Sequence, residues 1–181
     1  MRVISGSCRG TVLFTLSGDN TRPTLDRVKE SVFNILGNTF FDKVILDLFA
    51  GSGALGLEAL SRGASFAVFA DGWKDACNLV RENLKLSRLA DKARVVNSDY
   101  LSFLATTKEQ FDIVFLDPPY AEIFLENALN KISEIDILSD RGIIICERPA
   151  EKELDLEIPG LQRCKDHRYG KTWITVFRKA I

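Results

Sequence analysis

Short apolar runs alternate with segments of helical periodicity through most of the 181-residue chain. The runs predict five strands, at Val44–Phe49, Ser65–Ala70, Ala93–Asn97, Phe111–Leu116 and Gly142–Glu147. Helices are predicted between them, at Leu55–Arg62, Lys74–Ser87, near Leu101 and at Ile123–Ile135. Strands that are apolar on both faces are typical of a parallel sheet covered by helices on each side. The sequence therefore predicts an α/β fold.

The two ends of the chain break this alternation. Arg2–Ser5 and Thr11–Leu16 predict an N-terminal β-hairpin, and Leu25–Leu36 predicts a helix ending near Gly37. Leu161–His167 and Thr172–Arg178 predict a second hairpin with no helix between its strands. We expect a mostly parallel seven-stranded sheet closed by the C-terminal hairpin. We also expect a single domain, 1–181, made of an N-terminal extension, 1–38, and a core, 39–181.

The first predicted strand runs into a glycine-rich turn, Asp47-Leu-Phe-Ala-Gly-Ser-Gly-Ala-Leu-Gly56, followed by a helix. In this context the G-x-G-x-x-G spacing predicts a nucleoside cofactor, and Asp71, about 20 residues from Gly51, is placed to bind ribose hydroxyls. An NAD-type enzyme would seat a pyrophosphate on this turn, whereas a methyltransferase would pass the amino-acid part of S-adenosylmethionine. Asp47 favours the second, because a carboxylate can hold an ammonium but would repel a pyrophosphate. The glycines could also serve only to make a tight turn.

Asp99 follows the third strand, and two interpretations of it stay open. Its carboxylate can contact the adenine amino group of a cofactor, or it can cap the helix that begins next to it. One residue can do both.

Asp117-Pro-Pro-Tyr120 ends the fourth strand and is the most specific motif in the chain. Two consecutive prolines fix the backbone and remove two N–H donors, so the Pro118 carbonyl is rigid and free to accept. Together with the Asp117 carboxylate it suits the –NH2 group of a nucleobase, on which Tyr120 would stack. The simpler interpretation is that the prolines end a buried strand and Asp117 caps a helix.

An exocyclic amine is a poor nucleophile because its lone pair is conjugated with the ring. Two acceptors that draw the nitrogen toward tetrahedral geometry free that lone pair for an in-line methyl transfer. Catalysis of this kind depends on positioning and electrostatics rather than on a strong base. The motif, downstream of the glycine loop, therefore indicates an amino-methyltransferase acting on a base.

These residues resemble the bacterial methyltransferases that modify a guanine N2 in 16S ribosomal RNA. The resemblance extends over nearly the whole chain, and its strongest segments are Arg2–Gly6, Arg9-Gly10, Arg22–Leu36, Asp47–Arg62, Asp117–Tyr120 and Arg168–Thr172. The chain departs from the usual pattern at Ala70–Trp73, where relatives more often have Glu and a second acid. Trp73 could instead pack against the adenine.

The resemblance implies a Rossmann-like fold with S-adenosylmethionine as cofactor and 16S ribosomal RNA, or the small subunit, as partner. The implied cofactor-binding residues are Asp47, Phe49, Ala50, Gly51, Ser52, Gly53, Asp71, Gly72, Trp73, Asp99 and Tyr100. The implied catalytic residues are Asp117, Pro118 and Tyr120. The implied RNA-binding residues are Arg2, Arg9, Arg22, Arg168 and Lys171. Guanine rather than adenine, and ribosomal RNA rather than DNA, follow only from the resemblance.

Charge is unevenly distributed, although the net charge is only −1. Residues 1–30 carry five basic and three acidic side chains, and residues 160–181 carry six basic and one acidic. Basic ends on an acidic body could bring a polyanion to one face, or both ends could simply be solvated. Three alternatives remain: an adenine-N6 methyltransferase on DNA or RNA, an NAD-dependent oxidoreductase, and an RNA-binding protein without activity.

Cysteine and histidine usage limits the remaining possibilities. The four cysteines form no CxxC pair, Cys77 and Cys146 lie in apolar stretches, and His167 is the only histidine. We therefore expect free thiols and no metal site. Met1–Gly10 lacks the apolar segment of a secretory signal, and no run approaches the ~20 apolar residues of a membrane span. We expect a cytoplasmic protein without membrane contact, and a monomer, since no additional apolar face is evident.

Overall fold

A computed structural model describes residues 1–16, 23–119, 122–151 and 157–180. The helices are α1 (Pro23–Leu36), α2 (Ala54–Ser61), α3 (Lys74–Leu86), α4 (Tyr100–Thr106) and α5 (Glu122–Ile135), with a 3₁₀ turn at Ala90–Lys92. The strands are β1 (Val44–Leu48), β2 (Phe66–Asp71), β3 (Ala93–Asn97), β4 (Phe111–Leu116), β5 (Leu138–Pro149), β6 (Leu161–Tyr169) and β7 (Thr172–Lys179). The α/β class predicted from the sequence is confirmed.

The seven strands form one sheet in the order β3-β2-β1-β4-β5-β7-β6. Strands β1 to β5 are parallel, while β7 runs antiparallel to both β5 and β6. The mostly parallel sheet closed by a C-terminal hairpin is therefore confirmed. Because β1 pairs with both β2 and β4, the order of the strands reverses there, and ligands of open α/β sheets bind beside such a switch point.

Apolar side chains on the two faces of the sheet form two layers of core. On one face, Ile45, Phe69 and Phe115 pack with residues of α1, α2, α3 and the N-terminal segment. On the other face, Leu46 and Val114 pack with residues of α4 and α5. This two-sided burial accounts for the uninterrupted apolar runs, since successive side chains of a strand point to opposite faces.

The N-terminal hairpin has the predicted place and a smaller extent. Its only bridge within the described residues joins Arg2 and Val12 in antiparallel fashion. Backbone bonds of 2.9 Å from the Val3 amide to the Thr11 carbonyl and from the Leu13 amide to the Met1 carbonyl flank it. Two strands alone gain little stability, so this hairpin depends on its attachment to the core.

That attachment is centred on the buried side chain of Glu58 in α2. Its carboxylate accepts from the amides of Ile4 at 2.8 Å and Ser5 at 3.0 Å. It also pairs with Lys29 of α1 at 3.3 Å and with Arg62 at 2.9 Å. Burial lowers the pKa of Lys29, and the charge of Glu58 opposes that shift. One ionic group thus joins the hairpin, α1 and α2.

The largest difference from the predicted strands is at β5, which begins at Leu138 rather than Gly142. Leu138 pairs with Phe111, and the register then shifts before Ile143 pairs with Ile113. The polar residues 139–141, which the sequence suggests are a loop, lie in this irregularity between the two paired parts of β5. Among the described residues, no helix has the length and apolar character needed to cross a membrane.

Candidate active site

Four acidic residues lie at the carboxyl end of neighbouring strands: Asp71 on β2, Asp47 on β1, Asp117 after β4 and Glu147 on β5. Asp47 pairs with Phe69 and Phe115, so Asp71 lies two residues further along β2 on the same face of the sheet, and Asp117 directly follows the last paired residue of β4. The charges of Asp71 and Asp117 both act on Asp47. Cys146 pairs with Leu116, which brings Glu147 beside Asp117. We call these four residues the carboxylate row. It spans the switch point of the sheet.

Asp47 is the most buried member of the carboxylate row, with 2% of its surface exposed. Its Oδ2 accepts from the Gly56 amide at 2.9 Å. Burial raises the pKa of Asp47 to about 8, the Gly56 bond opposes the shift, and the charges of Asp117 and Asp71 add to it. A cation beside Asp47 would relieve this cost, so the site favours a positively charged ligand.

The glycine loop between β1 and α2 is folded tightly by left-handed backbone at Phe49 (φ 68°), Gly51 (φ 55°) and Gly53 (φ 78°). The amides of Phe49 and Ala50 both donate to the Ala70 carbonyl, at 3.0 and 3.1 Å. Positive φ is unfavourable for a residue with a bulky side chain. At Phe49 the ring is held by Tyr100, whose centroid lies 5.0 Å away.

Asp71 holds the glycine loop against the start of α3. Its Oδ2 accepts from the Gly51 amide at 2.9 Å, and its Oδ1 accepts from the Trp73 amide at 2.8 Å. Each oxygen keeps a further lone pair for a ligand hydroxyl. The Trp73 side chain is 55% exposed, and Gly72 lies against Ser98 and Asp99.

Asp99 caps α4, as one of the two interpretations predicts. Its Oδ2 accepts from the amides of Leu101 at 3.1 Å and Ser102 at 3.2 Å. A contact with adenine remains a prediction. Tyr100 is buried between Phe49 and Phe124, with its ring centroid 5.6 Å from that of Phe124. Its ring therefore belongs to the core on the α4 and α5 face of the sheet, and a ligand contact by Tyr100 remains a prediction.

Asp117 leaves the end of β4 with an exposed side chain, followed by the partly buried Pro118 and the exposed Pro119. The motif thus meets the glycine loop at the switch point, since β4 pairs with β1 from Ile113 to Leu116. Tyr120 and Arg22 lie outside the described residues. The remaining members of the predicted catalytic and cofactor-binding sets come together at this one edge.

Comparison with known proteins assigns the family. A family model described as "Conserved hypothetical protein 95" matches residues 1–178. The chain is 42% identical over 182 residues to the putative rRNA methyltransferase YlbH of Bacillus subtilis (strain 168), covering 99% of each. It is 41% identical over 154 residues to ribosomal RNA small subunit methyltransferase D of Escherichia coli (strain K12), covering 85% of this chain and 77% of that protein. The chain belongs to this methyltransferase family.

Solved structures agree with this assignment. A putative methyltransferase, yhhF, from Escherichia coli superposes with a TM-score of 0.89 and 34% identity, covering 99% of this chain and 97% of that one. SMU.776, a putative methyltransferase complexed with SAH, shares the fold alone, at a TM-score of 0.66 and 17% identity over 84% of this chain and 48% of that one. The fold is that of the S-adenosylmethionine-dependent methyltransferases, so the predicted fold is confirmed. The predicted cofactor, S-adenosylmethionine, is the one that this fold class uses.

Four of the basic residues that the family resemblance assigns to RNA lie in the described part of the chain, and these four are exposed but do not lie together: Arg2, Arg9, Arg168 and Lys171. Arg168 lies near the end of β6 and Lys171 in the β6–β7 turn. Both are at the carboxyl end of β5, where the Ala150 amide donates to the Lys171 carbonyl at 2.8 Å. The turn that carries Arg9 contacts Ser61, the last residue of α2, at the end of that helix remote from the glycine loop. RNA binding by any of these residues remains a prediction.

Glu147 is the member of the carboxylate row that sequence reasoning missed. It is partly buried, and burial together with the charge of Asp117 raises its pKa to about 8. The sequence does contain a feature that points to Glu147. The apolar run of β5 ends at Glu147, and the carboxyl ends of parallel strands meet at one edge of a sheet.

Proposed function

We propose that this protein transfers a methyl group from S-adenosylmethionine to the exocyclic N2 of a guanine in 16S ribosomal RNA of the small subunit. The observation that carries the proposal is the position of Asp117 and Pro118. They follow β4 at the switch point of a methyltransferase fold, beside the glycine loop that follows β1. A base amine held there would face a cofactor on the loop.

The cofactor would lie along the glycine loop and the carboxylate row. Among the bonds of the described residues Asp47 uses only Oδ2, so Oδ1 is available to the cofactor's ammonium. Asp71 and Asp99 would receive ribose hydroxyls and the adenine amino group, with Gly72, Trp73 and the Tyr100 backbone around the ring. When bound, S-adenosylmethionine supplies an electrophilic methyl group on a positively charged sulfonium. The acidic site suits that charge.

Asp117 and Pro118 would act on the target amine as paired acceptors. The Asp117 carboxylate and the Pro118 carbonyl each take one N–H, which draws the nitrogen out of conjugation. The freed lone pair would then accept the methyl group that the cofactor supplies, and the electrons of the broken C–S bond would remain on sulfur. The methylated ammonium then loses its proton to the Asp117 carboxylate or to water. Tyr120 would stack on the base.

Guanine N2 as the atom rests on the family resemblance, and ribosomal RNA as the substrate has two further supports. The relatives at 41 and 42% identity are named as ribosomal RNA methyltransferases, one of them for the small subunit. The exposed Arg168 and Lys171 lie at the same end of the sheet as Asp117, where they can bind phosphates, and Arg2, Arg9 and Arg22 would extend the contact through the N-terminal segment.

The test is methyl transfer from labelled S-adenosylmethionine to 16S RNA and to small-subunit particles, followed by nucleoside analysis. We expect label in N2-methylguanosine. Asp117→Ala should bind the cofactor normally and lose at least about 100-fold in rate, as for removal of a transition-state hydrogen-bonding group. The exposed Asp140→Asn is the matched control and should retain full activity. Label in N6-methyladenosine, or full activity of Asp117→Ala, would overturn the proposal.

A further inference from the structure

Glu147 lies where a base held by Asp117 and Pro118 would extend. Strand β4 has β1 on one side and β5 on the other, and the glycine loop follows β1. The target amine must face the cofactor, so the ring that carries it points away from β1 and over β5. Neighbouring strands lie ~4.8 Å apart, which is about the span of a guanine from N2 to O6.

Within the described part of the chain, no hydrogen-bonding or ionic partner accounts for the burial of the Glu147 carboxyl group. It makes no hydrogen bond or ion pair among the described residues, whereas its neighbour Arg148 bonds Thr175 at 3.1 Å on β7. Burial, and after it the charge of the nearby Asp117, raises the pKa of Glu147 well above that of an ordinary carboxyl group, which favours the protonated acid. It therefore presents both an O–H donor and a carbonyl acceptor toward the site.

This donor and acceptor pair matches one edge of guanine. Next to N2, guanine presents the N1–H donor and then the O6 acceptor. A neutral carboxylic acid can accept from N1–H and donate to O6 at once, while Asp117 and Pro118 hold the amine. With its amine in the same place, adenine would present an unprotonated N1 and a C2–H.

Building on the proposed function, we propose that Glu147 is the residue that recognises the guanine, with its carboxyl group accepting from N1–H and donating to O6. The juxtaposition of β4 and β5 carries this inference. Asp117 and Pro118 select an amine, and Glu147 selects the ring edge beside it. Glu147 then contributes to the specificity of the reaction rather than to cofactor binding.

The first test compares Glu147→Ala and Glu147→Gln on small-subunit particles that lack the modification. Glutamine keeps an acceptor and a donor at the same place, so kcat/KM of Glu147→Gln should stay within about threefold of wild type. The kcat/KM of Glu147→Ala should fall about 10- to 100-fold, which is the value of one bidentate base contact. Both variants should bind S-adenosylmethionine with unchanged Kd, which also reports folding. Wild-type activity of Glu147→Ala, or equal losses in the two variants, would overturn the inference.

The second test replaces the target guanine by 2-aminopurine, which keeps the amine and lacks both N1–H and O6. Wild type should methylate it about 10- to 100-fold more slowly than guanine, whereas Glu147→Ala should show no such difference, because the contact is already lost. Equal rates for wild type on the two bases would overturn the role of Glu147 even if the variants fail to fold. Failure of the proposed function looks different: wild type then leaves no label in N2-methylguanosine at all.

Discussion

The Gly56 amide nitrogen lies 2.9 Å from Oδ2 of Asp47, which brings the first turn of α2 directly against the buried end of β1. A Cβ built at Gly56 would lie 2.4 Å from the Phe69 ring and 3.2 Å from the same Oδ2. The third glycine of the loop is therefore required by close packing between helix and strand. It is not required by its backbone conformation, since Gly56 is absent from the residues with positive φ.

Gly56→Ala should destabilise the protein by about 1–3 kcal/mol, because the new methyl group must displace Phe69 or Asp47. Urea unfolding measures this change. Gly72→Ala is the matched control in the neighbouring turn, where the nearest atoms would lie 3.8 Å from the added Cβ. It should leave stability within about 0.5 kcal/mol. Equal stability of the two variants would contradict the packing argument.

Asp47→Asn should make the cofactor-free protein more stable at pH 8.5 while weakening cofactor binding. The pKa of Asp47 is raised to about 8, so the folded protein holds a proton that the unfolded chain releases near pH 4. Stability present at low pH is therefore lost as the pH rises from about 4 through 8. Asparagine avoids this loss and still offers an oxygen to the Gly56 amide.

The measurement is urea unfolding of wild type and Asp47→Asn at pH 5 and pH 8.5 without cofactor, with titration of S-adenosylmethionine in parallel. We expect the advantage of the variant to grow with pH and its cofactor affinity to fall. In wild type, binding at pH 7 should also release protons, detectable by calorimetry in buffers of different ionisation enthalpy. An advantage that does not change with pH would refute the raised pKa.

Glu58→Gln should be strongly destabilising, because it leaves the Lys29 ammonium buried without its counterion. Lys29 is 3% exposed and Glu58 is 0% exposed. Breaking such a pair from one side costs about 3–5 kcal/mol. The double variant Glu58→Gln/Lys29→Met removes both charges and should recover part of that loss. A single variant as stable as wild type would show that the pair contributes little.

The exposed pair Lys131–Glu134 provides the control for that series. Its nitrogen and oxygen are 3.0 Å apart, closer than in the buried pair, yet the Glu134 side chain is 68% exposed. Glu134→Gln should change the free energy of unfolding by less than about 1 kcal/mol, since water screens the interaction. The comparison separates burial from distance as the cause of the energetic difference.

Local pattern was sufficient for most of the fold. The predicted bounds of β3 and β4 match the structure, and β1 and β2 differ by one residue at their ends. This agreement arises because strands buried on both faces carry apolar residues along their whole length. The start of β5 was missed because Ser139, Asp140 and Arg141 are polar and lie in an irregularity of the strand, between the pairing of Leu138 with Phe111 and the pairing that resumes at Ile143.

The site was predictable where one short segment carries the chemistry. The glycine loop and Asp117–Pro118 can be identified in the sequence from their spacing and residue types. Glu147 cannot be identified in this way, because its proposed role depends on its position beside Asp117 on the neighbouring strand. Likewise, the contact of Lys29 with Glu58 joins residues far apart in sequence, and no local pattern reports which charged side chains are buried together.

Asn83→Ala should loosen the N-terminal segment and the glycine loop together, because one buried amide bonds both. Its Nδ2 donates to the Phe14 carbonyl at 3.0 Å and to the Ser52 carbonyl at 2.9 Å, and its Oδ1 accepts from the Phe14 amide at 2.8 Å. Alanine removes the hydrogen-bond partners of these backbone groups, and each buried group left without a partner costs about 1–3 kcal/mol of stability. Amide hydrogen exchange should become faster in both residues 12–16 and residues 50–53, and S-adenosylmethionine should bind more weakly. Asn78 is exposed on the same helix, so Asn78→Ala is the control and should change neither property. Faster exchange in only one of the two segments would show that Asn83 does not link them.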